Sequence, residues 1–141
     1  MEASQNIFIT KDKSLLNMHQ IHDMLRETYW GKTRSLQEIE TTIENSRCYG
    51  LFLNNEQIGF ARVLSDTVVF AYLMDVLIHK DHQGKGYSKI LLDFIFNDPE
   101  YANIHRWNLN TKDAHDLYRH FGFSDLASPD VFMEKILVHW T

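Results

Sequence analysis

A single cysteine, Cys48, leaves this chain without an internal disulfide, which excludes the small disulfide-stapled scaffolds of secreted proteins. Proline is scarce, with two residues, and glycine modest, with six. No stretch carries the Pro/Gly/Ser bias of a disordered linker or a low-complexity tract. No apolar run approaches the ~20 residues needed to span a bilayer. The longest, residues 67–78, is interrupted by Asp75. Positive charge is also short: 14 Lys and Arg against 19 Asp and Glu give a formal net charge of −5. That argues against a nucleic-acid binder, which needs a basic face to displace counterions from phosphates. The lone cysteine and the lack of a cleavable apolar leader predict a cytoplasmic protein with no membrane partner.

What is present suits one compact domain over residues 1–141. Nine Phe, six Tyr and three Trp supply large apolar surfaces for a core. Residues 6–10 read as a first strand. Residues 14–29 read as a helix, with Met18, Ile21 and Leu25 on one face and Gly31 as its break. Ser35 and Glu38 form a capping box that predicts a second helix from Leu36 to about Asn45. Residues 48–53 and 57–64 alternate like strands around the turn Asn54-Asn55, a hairpin. Residues 67–78, rich in Val, Tyr and Phe, predict a central strand buried on both faces.

Gly84 and Gly86 then open a helix striped by Tyr87, Ile90, Leu91, Phe94 and Ile95. Residues 105–110 predict another strand. Ala114, Leu117, Tyr118 and Phe121 stripe a fourth helix, capped by Gly122. Residues 131–139 predict a closing strand. The order is mixed α/β, an antiparallel meander followed by alternating strands and helices.

The loop from Gln83 to Ser88 is the chemical centre of this pattern. Two glycines let the backbone turn tightly at the end of an apolar strand. The following helix then points its free N–H groups and positive dipole end into the crevice, which makes an anion site suited to a pyrophosphate. Lys80, Lys85 and Lys89 add local positive charge. The Walker pattern is absent. A dinucleotide fingerprint needs a third glycine where Lys89 stands.

Gln83-Gly84-Lys85-Gly86-Tyr87-Ser88 resembles the acetyl-CoA motif of the GNAT superfamily, Q/R-x-x-G-x-G/A. The stretch from Ala114 to Phe123 is similar to its A-x-x-L-Y-x-x-x-G-F motif, and Met133-Glu134-Lys135 resembles its closing strand. The three lie in family order, and with the preceding helix pair and hairpin they cover essentially the whole chain. The resemblance implies a GNAT fold, a mostly antiparallel mixed sheet splayed into a V and flanked by about four helices. It also implies acetyl-CoA as co-substrate and direct acetyl transfer to a primary amine in a ternary complex. Val76, Leu77 and Ile78 would pair their backbone with the pantetheine arm, and an amide there would polarise the thioester carbonyl. Gln83, Gly84, Lys85, Gly86, Tyr87 and Ser88 would cradle the pyrophosphate. Tyr118 matches the tyrosine that protonates the departing thiolate, although its place on the apolar stripe equally suits a core residue. Two positions depart from the pattern: Ser88 replaces a small Gly or Ala, and Thr111 stands where many members have Asn.

Asp75 is the only charged residue in its apolar run. A buried carboxylate is costly unless it is bonded or lines a wet cleft. Its position suggests a raised pKa and a role as general base, or else a structural carboxylate holding an arginine such as Arg62. Trp30, Lys32 and Arg34 lie between the first two helices, where the resemblance places acceptor-site residues. Trp30 suits a pocket wall and Arg34 a partner for a carboxylate. The histidine pairs His19/His22 and His79/His82 come without a third ligand, so no metal is expected. Cys48 reads as a small buried hydrophobe. The alternative to an enzyme is a non-catalytic acyl-CoA-binding or regulatory domain. A homodimer is the assembly left open.

Overall fold

The computed structural model describes residues 6–138. Five strands form one sheet in the sequential order β1-β2-β3-β4-β5: Ile7–Thr10, Arg47–Leu53, Glu56–Ser65, Phe70–Ile78 and Arg106–Asn108. The first four strands pair antiparallel, and β4 pairs with β5 in parallel. Asn54 and Asn55 both adopt positive φ, 50° and 68°. This is the geometry a two-residue hairpin needs to match strand twist, and it fixes the β2–β3 register.

Four helices cover the sheet: α1 (Met18–Arg26), α2 (Leu36–Glu44), α3 (Tyr87–Phe96) and α4 (His115–His120). Two apolar layers result. Ile21, Leu25, Ile39 and Ile43 from α1 and α2 pack on Cys48, Phe60 and Leu77. Leu91, Leu92 and Ile95 from α3 pack on Tyr49, Leu51, Ala61, Val63 and Leu73. The capping box at the start of α2 forms as expected: Ser35 Oγ accepts from the Glu38 amide, and a Glu38 carboxylate oxygen accepts from the Ser35 amide.

Three expectations need correction. The single helix over residues 14–29 is instead a 3-10 turn at Lys13–Leu15 followed by α1 from Met18. Asn17 separates them, because its side chain accepts from the Gln20 amide and caps a new helix. The strand expected from residue 67 begins at Phe70. The Asp66 carboxylate takes the amides of Val68, Val69 and Phe70 at 2.8–3.0 Å and holds them in a turn. Within β4, buried Ala71, Leu73, Asp75 and Leu77 alternate with half-buried Tyr72, Met74, Val76 and Ile78, so the strand is covered only in part on each face. The expected closing strand is absent over residues 131–138, where only a 3-10 turn at Pro129–Val131 is formed. His139, the last residue of that expectation, lies outside the described residues.

Candidate active site

The site begins where β4 and β5 part. They pair at only three positions, Phe70 with Arg106, Ala71 with Trp107 and Tyr72 with Asn108. Beyond these β4 runs on to Ile78 without β5, which opens the V. Asn108 stands at the fork, and its buried Oδ1 has no hydrogen-bond partner.

A bulge in β4 shapes the other edge. Phe60 pairs with Leu77 and Arg62 with Met74, so Asp75 and Val76 together oppose the single residue Ala61. Asp75 takes up the extra residue at φ 51°. The bulge shifts the alternation of the strand. Leu73 faces the α3 layer, whereas Leu77, four residues on, faces α1 and α2.

Asp75 thereby meets three donors. Arg34 and Arg62 each reach its Oδ2 at 2.6 Å, and the Trp30 indole N–H donates to Oδ1 at 2.8 Å. Burial alone would raise the carboxyl pKa. The hydrogen bonds and charges of Arg34 and Arg62 outweigh it, and the pKa lies below the ordinary carboxylate value. The raised pKa expected from burial is therefore corrected. The arginine named among its candidate partners, Arg62, does hold the carboxylate, and Trp30 and Arg34 join the same cluster.

A cavity of about 350 Å³ lies between the end of α1 and the end of β4. Met24, Glu27, Trp30, Val76, Ile78 and Gln83 are among its walls. Of the sequence candidates, Trp30, Val76, Leu77, Ile78 and Gln83 line it together; Met24 and Glu27 were not foreseen. Met24 lies on the last turn of α1 and Glu27 is its C-cap, and α-helical spacing alone did not indicate which residues would overhang the strand end.

The glycine loop borders this cavity through Gln83. Gln83 Nε2 donates to the Ile78 carbonyl at 2.9 Å and ties the loop to the strand end. Gly84 and Gly86 take φ values of 76° and 87°, and a Cβ built at either would meet no atom within 4 Å. Their conformation and the open space above them leave room for a ligand to approach the backbone. Gly86 is the N-cap of α3 and makes no side-chain cap hydrogen bond, an arrangement that suits an anion at the helix start. Ser88 lies in the first turn of α3. The loop therefore fits a pyrophosphate, with Lys85 in the loop and Lys89 in the helix beyond it.

Tyr118 lies on α4, 8% exposed. Its hydroxyl has no hydrogen-bond partner among the described residues, and burial pushes its pKa up to about 12. The C-terminus of α4 explains its placement. The Gly122 amide donates to the Arg119 carbonyl and the Phe123 amide to the Tyr118 carbonyl, with Gly122 at φ 92°. This is a Schellman cap, and it stacks the Phe123 ring edge-on against Tyr118 at 5.9 Å. Upstream, Thr111 Oγ1 accepts from the Ala114 amide at 3.0 Å and organises the entry to the helix.

A splayed parallel pair with an uncapped glycine-rich helix start at its head defines an acyltransferase cleft of known type. Residues 44–125 match the family profile described as acetyltransferase (GNAT) domain. An uncharacterised N-acetyltransferase, ycf52, of Gracilaria tenuistipitata var. liui is 31% identical over 131 residues, covering 89% of this chain and 70% of that protein. A structure from Xanthomonas campestris pv. campestris, described as an acetyltransferase of the GNAT family, superposes with a TM-score of 0.89 at 38% identity, covering 94% of each chain. The ribosomal-protein-S18-alanine N-acetyltransferase of Escherichia coli shares the fold, with a TM-score of 0.71 at 16% identity over 86% of this chain and 80% of that one. The chain belongs to the GNAT family and is an acetyltransferase, a family whose acyl transfer draws on acetyl-CoA.

Proposed function

We propose that this protein transfers acetyl from acetyl-CoA to a primary amine by direct attack in a ternary complex. The observation that carries the reading is the unpaired edge of β4 beyond Tyr72, running from the fork to the uncapped start of α3. Acetyl-CoA supplies the activated acyl group. Gln83, Gly84, Lys85, Gly86, Tyr87 and Ser88 hold its pyrophosphate through backbone amides and the dipole of α3. Val76, Leu77 and Ile78 accept its pantetheine arm as an added strand would. The bulge leaves Val76 without a ladder partner on β3, and its amide suits a hydrogen-bond donor to the developing oxyanion.

Tyr118 is the general acid. Burial pushes its pKa up to about 12, so the phenol is protonated at neutral pH, and its proton passes to sulfur as the C–S bond breaks. Asp75 is a weak base in this setting, because its charge is already stabilised by Arg34, Arg62 and Trp30. Water in the cavity takes the proton of the amine instead, and Asp75 holds Arg34 and fixes Trp30, which walls the acceptor pocket.

The test is a screen of primary amines with acetyl-CoA, read as free thiol and as acetylated product. Product formed only with amine present supports the reading. CoA binding without thiol release for any amine would instead mark a non-catalytic acyl-CoA-binding domain.

A further inference from the structure

The cavity beside the end of β4 combines an apolar lining with charge from two separate walls. Met24, Trp30, Val76, Leu77 and Ile78 supply the apolar part. One charged wall is the end of α1, where Asp23 and Arg26 lie in the last turn and Glu27 is the C-cap. The other is Lys80, on the 3-10 turn Lys80–His82 between β4 and the glycine loop. Asp23 is paired on its own helix, with Arg26 at 2.9 Å. Glu27 instead reaches across to Lys80, with 3.8 Å between Oε1 and Nζ, so this ion pair joins the two walls.

The pair is built to change partners. Its side chains are 63% and 62% exposed, and an ion pair so open to water contributes little to stability. Lys80 stands three residues before Gln83, the start of the loop that fits a pyrophosphate. A pyrophosphate carries more negative charge than one carboxylate and draws the ammonium of Lys80 toward the loop. The cavity then loses its balance. Asp23 and Glu27 face Arg26 and Lys80 in the free protein, two charges against two. With Lys80 turned to the cofactor, two carboxylates face Arg26 alone. Glu27 also sits at the C-terminus of α1, where the negative end of the helix dipole favours a cation.

We propose that Glu27 selects an acceptor with a second, positively charged nitrogen, a diamine or polyamine, and that Lys80 yields the carboxylate to it when acetyl-CoA is bound. The second nitrogen follows from the chemistry of the first. The attacking amine must be neutral, and a carboxylate beside it would favour its protonated form. Glu27 therefore suits a nitrogen that stays charged and does not react. The apolar lining suits the methylene groups between the two nitrogens. This inference rests on the acetyl-transfer reading and adds the chemistry of the acceptor to it.

The test compares butylamine with diaminobutane, and hexylamine with diaminohexane, as acceptors in the wild type, Glu27→Gln and Glu27→Asp. In the wild type at least one diamine should exceed its monoamine in kcat/KM by about tenfold or more. In Glu27→Gln the ratio should fall to within about twofold of unity through a rise in the diamine KM, because a remote contact is made equally in the ground and transition states. Glu27→Asp, which keeps the charge, should restore part of the preference. Calorimetry supplies a readout without turnover: that diamine should bind the CoA complex at least about tenfold more tightly than the free protein. Equal efficiency of each diamine and its monoamine overturns this inference and leaves acetyl transfer standing. So does a preference that Glu27→Gln retains. Equal diamine affinity with and without CoA overturns the exchange at Lys80. No product from any amine overturns the transferase reading and this inference together.

Discussion

Asp75→Asn tests how the site is held together. The substitution keeps the shape of the side chain and an acceptor for the Trp30 indole, and removes only the charge. Two arginines then lose their counter-ion. The Arg34 side chain is 19% exposed and can turn toward water, but Arg62 is 7% exposed and cannot. Breaking a buried ion pair by removing one partner costs about 3–5 kcal/mol, because the remaining charge is left uncompensated. For a domain of this size that corresponds to a fall in Tm of roughly 10 °C or more. The pH dependence has a defined sign. The folded-state pKa of Asp75 lies below its ordinary value of 3.8. Its contribution is therefore present in full above that value and is lost as pH falls through the lower folded value. The assay is calorimetric unfolding of wild type and variant from pH 7 down to acid, with acetyl transfer measured across pH in parallel. Wild type and variant should converge in stability at the acid end, and any rate deficit should be flat with pH. An unchanged Tm at pH 7, with a rate loss concentrated at low pH that recovers as pH rises, would refute the structural role and restore Asp75 as the base.

Much of the fold was legible because local chemistry and tertiary demand agree. Ser35 and Glu38 gave the start of α2, and Asn54-Asn55 gave the hairpin, since capping and left-handed turns are local events. The same holds for the Gly122-Phe123 signal. The fourth helix ends there because a Schellman cap needs a glycine, and the following phenylalanine packs back on Tyr118. The bulge at Asp75 was not legible. No glycine or proline marks it, and the Asp75 carboxylate at this left-handed position is held by Arg34, Arg62 and Trp30, residues 13 to 45 positions away. A composition rule read Asp75 as an anomalous charge, but the sign of its pKa shift depends on those distant partners. The C-terminal segment failed differently. Its alternating pattern gives a strand propensity, but a strand also requires a ladder partner, and none pairs with residues 131–138.

The remaining experiments probe the loop, the core and the chemistry. Gly86→Val should weaken CoA binding at least about tenfold by calorimetry while the protein still folds. A Cβ there meets only open space, although the positive φ costs the fold ~1–2 kcal/mol; unchanged affinity would remove the loop from the site. Gly59→Ala should lower stability by about 1–3 kcal/mol, because its Cβ would come within 3.0–3.2 Å of Ile78, Leu51 and the Leu77 carbonyl. A variant of normal Tm would show that the β3–β4 contact can relax. Cys48, buried beneath α2 with its thiol pKa raised by burial, should resist alkylation in the native state and react only on unfolding; rapid native labelling would contradict its packing. Tyr118→Phe separates catalysis from packing most directly. The hydroxyl has no partner to lose among the described residues, and the ring keeps its contact with Phe123. Stability should therefore stay within about 1 kcal/mol of wild type, the scale of one hydrogen bond. If that hydroxyl protonates the leaving thiolate, the loss should appear in kcat by a factor on the order of 10²–10⁴, with KM little moved, because the proton is given only in the transition state. The deficit should shrink with an acyl donor whose thiol has a low pKa, since such a leaving group departs without a proton. A variant that folds normally and turns over at the wild-type rate would assign Tyr118 to the core and leave water to protonate the thiolate.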